Sequence, residues 1–125
     1  MRIKMTNIYV NDPVAAFKFY TEILGFAELM FVQEASLAIV VAADDPDGTA
    51  LLLEPSANPI AKNYQEGLYN AGLPTIVLDV DNVEQEYERL KVLNVKFSKT
   101  PTKTEYGVEA IFDDTCGNYI QIHQS

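Results

Sequence analysis

Polar and apolar residues alternate over the first stretch of the chain, residues 3–10. Ile8 and Val10 occupy one side of the alternation, and Met5, Asn7 and Tyr9 occupy the other. Side chains of an extended strand point to opposite faces at every step, so this spacing predicts a β-strand. The two faces of the strand differ in chemistry, because one is aliphatic and the other mixes sulfur, amide and phenol groups.

The next stretch has helical spacing. Asp12 and Pro13 suit the N-cap and the first position of a helix, and Gly25 suits its end in a left-handed conformation. The apolar side chains of one stripe recur every three or four residues, at Ala16, Phe17, Tyr20, Ile23 and Leu24. We therefore expect a helix that packs this stripe, Phe17 included, into the core.

Three further strands complete the first half of the chain. Apolar runs at 27–33 and 37–43, joined by a short polar link, predict a hairpin rich in β-branched residues. An acidic turn at 44–48 then leads into an apolar strand at 49–54. The first half thus predicts the order β-α-β-β-β.

The second half repeats this order. A shift of 69 positions places Gly48 of the acidic turn on Gly117, which we expect to adopt a positive φ. Asp81 and Glu84 have the spacing of a capping box for the second helix, and Asn94 takes the place of Gly25. The expected strands are residues 75–80, 95–98, 107–112 and 118–123, and residues 99–106, which include Pro101, are expected to form a polar loop.

Residues 55–74 connect the two halves. Pro55 and Pro59 interrupt the strand, and Asn58 precedes a short predicted helix that ends near Ala71. This connector is interpreted as a packed linker, with a lid over a pocket as the alternative. The length of 125 residues fits one domain with module one at about 1–54, the connector at 55–74 and module two at about 75–125.

The duplication predicts the fold class: α+β, with two tandem β-α-β-β-β modules forming a curved, barrel-like mixed sheet around a cleft with the helices outside. By strand alternation, the residues expected to line the cleft are Met5, Asn7, Tyr9, Leu52, Glu54, Thr75, Val77, Gln121 and His123. This mixture of apolar, aromatic and amide groups suits a small organic ligand.

Charge and composition exclude several classes of function. The net charge of −9 argues against nucleic-acid partners and against anionic membrane surfaces. The single cysteine, Cys116, excludes an internal disulfide and a thiolate metal cluster. No apolar run has the length of a membrane span, and the N-terminus lacks a signal-peptide pattern, so the cytoplasm is the expected location.

Two motifs carry a resemblance that covers nearly the whole chain. The segment NDPVAAFKFYTEILGF at 11–26 and the segment FDDTCGNYIQIHQ at 112–124 resemble the opening and closing motifs of the vicinal oxygen chelate superfamily. That superfamily includes glyoxalase I, bleomycin resistance proteins and extradiol dioxygenases. The resemblance implies the paired-module fold and a homodimer, and it implies an activity only weakly because one fold hosts many functions.

The catalytic members of the superfamily hold a divalent metal through His or Glu. The corresponding positions here are Met5, Leu52, Thr75 and Gln121, none of which is a good ligand for such a cation. No cofactor is therefore predicted. The alternative is a lyase or dioxygenase with a divalent metal displaced to Glu54 and His123, which occupy equivalent places in the two modules.

The main functional hypothesis is a glyoxalase- and bleomycin-resistance-like protein that binds a small organic molecule in its cleft without the usual metal. Two further hypotheses stand beside the displaced metal site. His123 and a carboxylate such as Glu54, Glu105 or Glu109 could perform acid–base chemistry without metal. The chain could also be a dimer with a filled cleft and a purely structural or interaction role.

Overall fold

Eight strands and three α-helices make up the computed structural model, which describes residues 1–125. The strands are β1 (Met5–Val10), β2 (Ala27–Val32), β3 (Leu37–Val41), β4 (Ala50–Pro55), β5 (Pro74–Asp79), β6 (Phe97–Thr104), β7 (Gly107–Asp113) and β8 (Tyr119–Gln124). The helices are α1 (Pro13–Lys18), which continues as a π-helical segment (Phe19–Ile23), α2 (Pro59–Asn70) and α3 (Val83–Val92). None of them is long and apolar enough to span a bilayer.

The strands form two four-stranded mixed sheets with the same internal order, β1-β4-β3-β2 and β5-β8-β7-β6. β1 pairs parallel with β4, and β5 pairs parallel with β8. All other neighbouring strands are antiparallel. The predicted α+β class and the repeated β-α-β-β-β order are confirmed. The sheets are not closed into a barrel.

The chain divides into two compact units, Met1–Gln65 and Glu66–Ser125, each built around one sheet. In the first unit, α1 packs on β3 and β4, whose inward side chains, including Ala38, Val40 and Leu53, are fully buried. Asp12 caps α1 as predicted, because its Oδ1 accepts from the backbone N–H groups of Val14 at 3.0 Å and Ala15 at 3.4 Å.

The first helix differs from its prediction in its second half. Its last turn widens into the π-helical segment, with the backbone N–H of Leu24 donating to the carbonyl of Phe19. Tyr20 is completely buried, but Phe17 is only half-buried and stacks on Phe31 at a centroid distance of 4.1 Å. The prediction that the stripe packs into the core is therefore confirmed for Tyr20, whereas Phe17 is only partly buried.

The second unit places α3 on the corresponding face of its sheet. Tyr87 meets Phe97 edge-on at 4.8 Å, and Leu90 is 1% exposed. The N-cap of α3 is Asn82, whose Oδ1 accepts from the backbone of Gln85, so the prediction of Asp81 as the cap was wrong by one residue. Asn and Asp are about equally good N-caps, so residue type alone does not distinguish Asp81 from Asn82. The backbone conformation, extended at Asn82, determines which one caps the helix.

The predicted loop at 99–106 is a second correction. Residues 97–104 form β6, which pairs antiparallel with β7 through two register shifts. β6 is the outermost strand of its sheet. An edge strand tolerates Pro101 because a missing N–H on its free side breaks no ladder bond.

The acidic turn before β8 is held by one buried carboxylate. Asp114 is 0% exposed and accepts from the backbone N–H groups of Cys116 and Asn118 and from the side-chain amide of Asn118. Gly117 has φ 97°, as predicted, and Gly25 and Asn94 also have positive φ at the ends of their helices. In the turn at 44–48, by contrast, Asp45 is exposed.

Candidate functional site

The first-unit sheet has a second face, opposite α1, which we call the first-unit face. It is formed by the outward side chains of Met5, Asn7, Tyr9, Met30, Val32, Leu37, Ile39, Leu52 and Glu54. The sequence placed Met5, Asn7, Tyr9, Leu52 and Glu54 together by alternation, and the structure shows all of them on this face. Met5 is 48% exposed and Met30 is 47% exposed, so the face carries exposed apolar surface.

One row of this face crosses the whole sheet. Asn7 pairs with Leu52, Leu52 with Ile39, and Ile39 with Met30. Three of the four side chains are apolar, and the fourth is an amide at the β1 end. Neighbouring side chains in such a row lie about 5 Å apart, so the row forms a continuous apolar strip.

The polar end of the strip contains a hydrogen-bonded pair. The Nδ2 of Asn7 donates to Oε2 of Glu54 at 2.8 Å. The donor is a neutral amide, so it orients the carboxylate without cancelling its charge. Glu54 therefore presents an anionic group beside apolar surface.

An aromatic corner lies next to this carboxylate. Tyr9 is the register partner of Glu54 on the same face. Tyr64, from α2, meets Tyr9 edge-on with ring centroids 6.4 Å apart and planes at 81°. Tyr64 is 54% exposed, so much of its ring faces solvent.

The second-unit face is the corresponding side of the other sheet, opposite α3. It is formed by Val77, Asp79, Lys99, Glu109, Ile111, Gln121 and His123. The sequence placed Val77, Gln121 and His123 here, and the structure agrees. Thr75 falls at an irregularity between Pro74 and Ile76 and has no register partner in the ladder.

An ion pair occupies the polar side of the second-unit face. Nζ of Lys99 lies 3.1 Å from Oε1 of Glu109, whose side chain is 18% exposed. Unlike the amide at Glu54, this ammonium group offsets the charge of the carboxylate. This pair was not predicted, because residues 99–106 were expected to form a loop rather than part of β6.

His123 lies between two acidic neighbours, since its register partners are Asp79 and Glu109. Its Nε2 lies 3.1 Å from the backbone oxygen of Tyr106. A carbonyl oxygen only accepts, so Nε2 carries a proton and donates to it. Gly107 is packed tightly beside this contact, because a Cβ there would overlap the backbone oxygen of Gln124.

The donor set does not fit the divalent metal that the superfamily implies. The four corresponding positions hold a thioether, an aliphatic group, a hydroxyl and an amide, at Met5, Leu52, Thr75 and Gln121. In the displaced alternative, His123 Nε2 is protonated and Glu54 is held by Asn7. No group of three or more His, Cys, Asp or Glu side chains in residues 1–125 is arranged to hold a metal ion.

A tyrosine of the connector helix is fixed on the second unit. The hydroxyl of Tyr69 donates to Oδ2 of Asp113 at 2.5 Å, and its ring stacks on Tyr119 at 4.6 Å. The hydrogen bond to Asp113 raises the pKa of the Tyr69 phenol well above its usual value, because ionisation would place two anions together. The Asp113 carboxylate also accepts from the backbone of Thr115.

A shallow cavity of about 260 Å³ lies elsewhere in the first unit, where the first helix ends. Its lining residues are Leu24, Gly25, Phe26, Ala42, Ala43 and Asp44. Asp44 is the only charged side chain among them, and none of the predicted site residues is included. The cavity therefore offers little specific chemistry compared with the first-unit face.

The contributions of the hairpin strands and of the connector helix to the first-unit face were not predicted from the sequence. Ile39 and Met30 come from the hairpin strands, whose register with β4 was unknown from sequence. Tyr64 was recognised only as an apolar contact of the connector helix, and nothing in the sequence indicates that it meets Tyr9. Alternation within the hairpin strands was the one signal that could have suggested Ile39 and Met30.

Comparison with known proteins identifies relatives over the full length of the chain. A family model described as Glyoxalase/Bleomycin resistance protein/Dioxygenase superfamily matches residues 2–122. The chain is 45% identical to the uncharacterized protein YurT of Bacillus subtilis (strain 168), covering 99% of both chains.

Solved structures share the fold. UcmS2 is 30% identical, with a TM-score of 0.83 over 100% of this chain and 98% of that one. TnmS3, described as an antibiotic binding protein from Streptomyces sp. CB03234, is 23% identical, with a TM-score of 0.75 over 99% of this chain and 95% of that one. At this identity, the likeness to TnmS3 shows the fold alone.

Proposed function

Because the chain belongs to the glyoxalase/bleomycin resistance protein/dioxygenase superfamily, we propose that it binds a small organic molecule on the first-unit face. The observation that carries the proposal is the continuous apolar strip Leu52–Ile39–Met30, with the hydrogen-bonded amide and carboxylate of Asn7 and Glu54 at one end. Ligand sites typically combine such apolar surface with a few oriented polar groups.

The second-unit residues Thr75, Val77, Gln121 and His123 remain predicted contributors to ligand binding. Their surroundings are more polar, and Glu109, one of the two acidic register partners of His123, is already paired with Lys99. We therefore assign the principal contact to the first unit. Antibiotic binding by TnmS3 illustrates that this fold can hold an organic molecule, and it specifies no ligand for this chain.

A ligand screen by thermal shift tests the proposal, with two matched variants. Met5→Lys places a charge on the first-unit face, and Ile60→Lys places the same charge on a side chain that is 80% exposed in α2. We expect hits from an apolar compound library to stabilise the wild type and Ile60→Lys, and to lose at least about tenfold in affinity with Met5→Lys. Equal affinity in all three proteins would place the site elsewhere.

The metal-dependent alternative has its own measurement. The protein is incubated with Ni, Zn, Mn and Fe(II), desalted and analysed for bound metal. About one metal per chain, lost in Glu54→Ala or His123→Ala, would require both residues to leave their present hydrogen bonds and would support a lyase or dioxygenase. A metal-free result in wild type supports the binding role.

We also propose a homodimer, as the resemblance to the superfamily implies, and retain the cytoplasm as the predicted location. Light scattering coupled to size-exclusion chromatography measures the mass directly. A mass of twice 13.9 kDa supports the dimer, and a mass of 13.9 kDa at all concentrations overturns it. A small-molecule ligand remains the proposed partner, with no role for nucleic acid or a membrane surface.

A further inference from the structure

We infer that the corner formed by Tyr9, Tyr64 and Glu54 selects an organic cation, namely a ligand with a protonated or quaternary amine attached to an apolar body. This inference rests on the proposed function, since it names the class of molecule that the first-unit face takes. Three observations carry it: the geometry of the two rings, the charge of the carboxylate, and the apolar strip that leads away from it.

The two tyrosine rings make walls at a right angle. Their planes meet at 81°, with centroids 6.4 Å apart, so the edge of one ring points towards the other. An edge-on pair leaves ring faces turned in different directions, and ring faces carry the negative part of the aromatic quadrupole. Such faces attract cations within about 6 Å of the ring centre.

Glu54 adds a full negative charge to this corner. It is the register partner of Tyr9, and neighbouring strands lie about 4.8 Å apart, so the two side chains leave the same face of the sheet side by side. Its Oε2 accepts from the neutral amide of Asn7, which fixes its orientation. A carboxylate has capacity for several donors, so this bond leaves room for a ligand ammonium group.

The strands contribute no cationic side chain to this face. Their outward residues are Met5, Asn7, Tyr9, Met30, Val32, Leu37, Ile39, Leu52 and Glu54, and none is Lys or Arg. The apolar row Leu52–Ile39–Met30 starts one rung from Glu54 and extends across the sheet. A molecule with a cationic head and an apolar tail matches both parts of this surface at once.

The experiment compares three probes of similar shape by isothermal titration calorimetry. They are 3-phenylpropyltrimethylammonium, the neutral compound in which a tert-butyl group replaces trimethylammonium, and 4-phenylbutanoate. We expect the wild type to prefer the cation to the neutral probe by about tenfold and to bind the anion most weakly. Added salt should weaken only the binding of the cation markedly.

Variants assign the preference to the corner. Glu54→Gln keeps the shape and an acceptor oxygen for Asn7 but removes the charge, so the preference for the cation over the neutral probe should fall at least about fivefold. Tyr64→Leu should lower cation affinity, whereas Tyr64→Phe, which keeps the ring, should not. Glu84→Gln, which removes a carboxylate from an exposed position of α3, is the matched control and should bind all three probes like the wild type.

The outcomes separate this inference from the proposed function. Equal binding of the cationic and neutral probes, or an unchanged preference in Glu54→Gln, would overturn the cation selectivity while supporting an organic ligand site. Failure of all three probes to bind the wild type, together with an empty thermal-shift screen, would overturn both. Binding of the cation alone, lost in Glu54→Gln and retained in Glu84→Gln, would support both.

Discussion

The first-unit face and the second-unit face come from the same β-α-β-β-β pattern, but their carboxylates have different partners. Glu54 accepts from the neutral amide of Asn7, whereas Glu109 is paired with the ammonium group of Lys99. In the second unit the charge is offset within the protein. In the first unit the hydrogen-bond partner is neutral, and apolar and aromatic residues lie on the same face, which is what the proposed binding of an organic cation requires.

The turns before the last strand of each sheet differ in the same way. In the second unit the turn is organised by the buried Asp114, and in the first unit the corresponding segment has the exposed Asp45. The two copies of one supersecondary pattern thus differ in how their polar groups are bonded. The second unit carries the more tightly bonded polar interior, and the first unit carries the more apolar exposed face.

The largest expected effect concerns the two turns. Asp114→Ala would leave three buried donors without their acceptor and should lower the free energy of unfolding by about 3 kcal/mol or more. Asp45→Ala, at an exposed position, should change it by less than about 0.5 kcal/mol. Chemical denaturation measures both, and equal losses would contradict the difference between the turns.

A second pair of variants tests the same turns through their glycines. Gly117 has φ 97°, so Gly117→Ala should cost about 1–2 kcal/mol in strain. At Gly48 a Cβ would meet the flexible carboxylate of the exposed Asp45 side chain, which can move aside, so Gly48→Ala should cost less. Thermal unfolding monitored by circular dichroism ranks the two, and a larger loss for Gly48→Ala would reverse the expectation.

The two tyrosines of α2 provide a third comparison. Tyr69→Phe removes the hydrogen bond to Asp113 but keeps the stack on Tyr119, and should cost about 1 kcal/mol at neutral pH. Tyr64→Phe keeps the edge-on contact with Tyr9 and should be close to neutral. Denaturant midpoints of both variants give the comparison.

The Tyr69 hydrogen bond also predicts a pH dependence. The pKa of this phenol is raised in the folded protein, so its stabilisation is fully present below the unfolded tyrosine pKa of about 10 and is lost as the pH rises above that value. Ultraviolet titration of the tyrosines should show one late-ionising group that is absent in Tyr69→Phe. A full set of tyrosines ionising together near the usual pKa would contradict the raised value.

The smallest expected effect concerns the ion pair itself. Lys99 is 40% exposed, so Lys99→Met should cost only about 0.2–1 kcal/mol of stability. The substitution should also leave the charge of Glu109 without a cationic partner, so that this carboxylate resembles Glu54 of the first-unit face. Weak binding of the cationic probe at this face of Lys99→Met, seen by amide NMR, would sharpen the comparison, and no change there would weaken it.

Local signals in the sequence predicted much of the fold. The N-cap Asp12 and the positive φ values at Gly25, Asn94 and Gly117 follow from residue type and position, and strand alternation placed Asn7 and Glu54 on one face. These features depend on a few neighbouring residues. Alternation alone therefore predicted the part of the first-unit face that β1 and β4 form.

Features that depend on register between distant strands were not predicted. The pairing of Lys99 with Glu109 requires β6 to continue past Pro101 with two register shifts, which no local pattern specifies. The contact of Tyr64 with Tyr9 depends on where the connector helix lies. Both contacts bear on the proposed binding surfaces. The ion pair with Lys99 offsets the charge of Glu109, and Tyr64 places an aromatic ring beside Tyr9.

The central claim is that the ligand binds at the first-unit face. Backbone amide NMR of the wild-type protein titrated with 3-phenylpropyltrimethylammonium tests this claim most directly. We predict saturable shifts that are largest in β1, in β4 and around Tyr64. Shifts that are largest in β5 and β8, or that do not saturate, would contradict it.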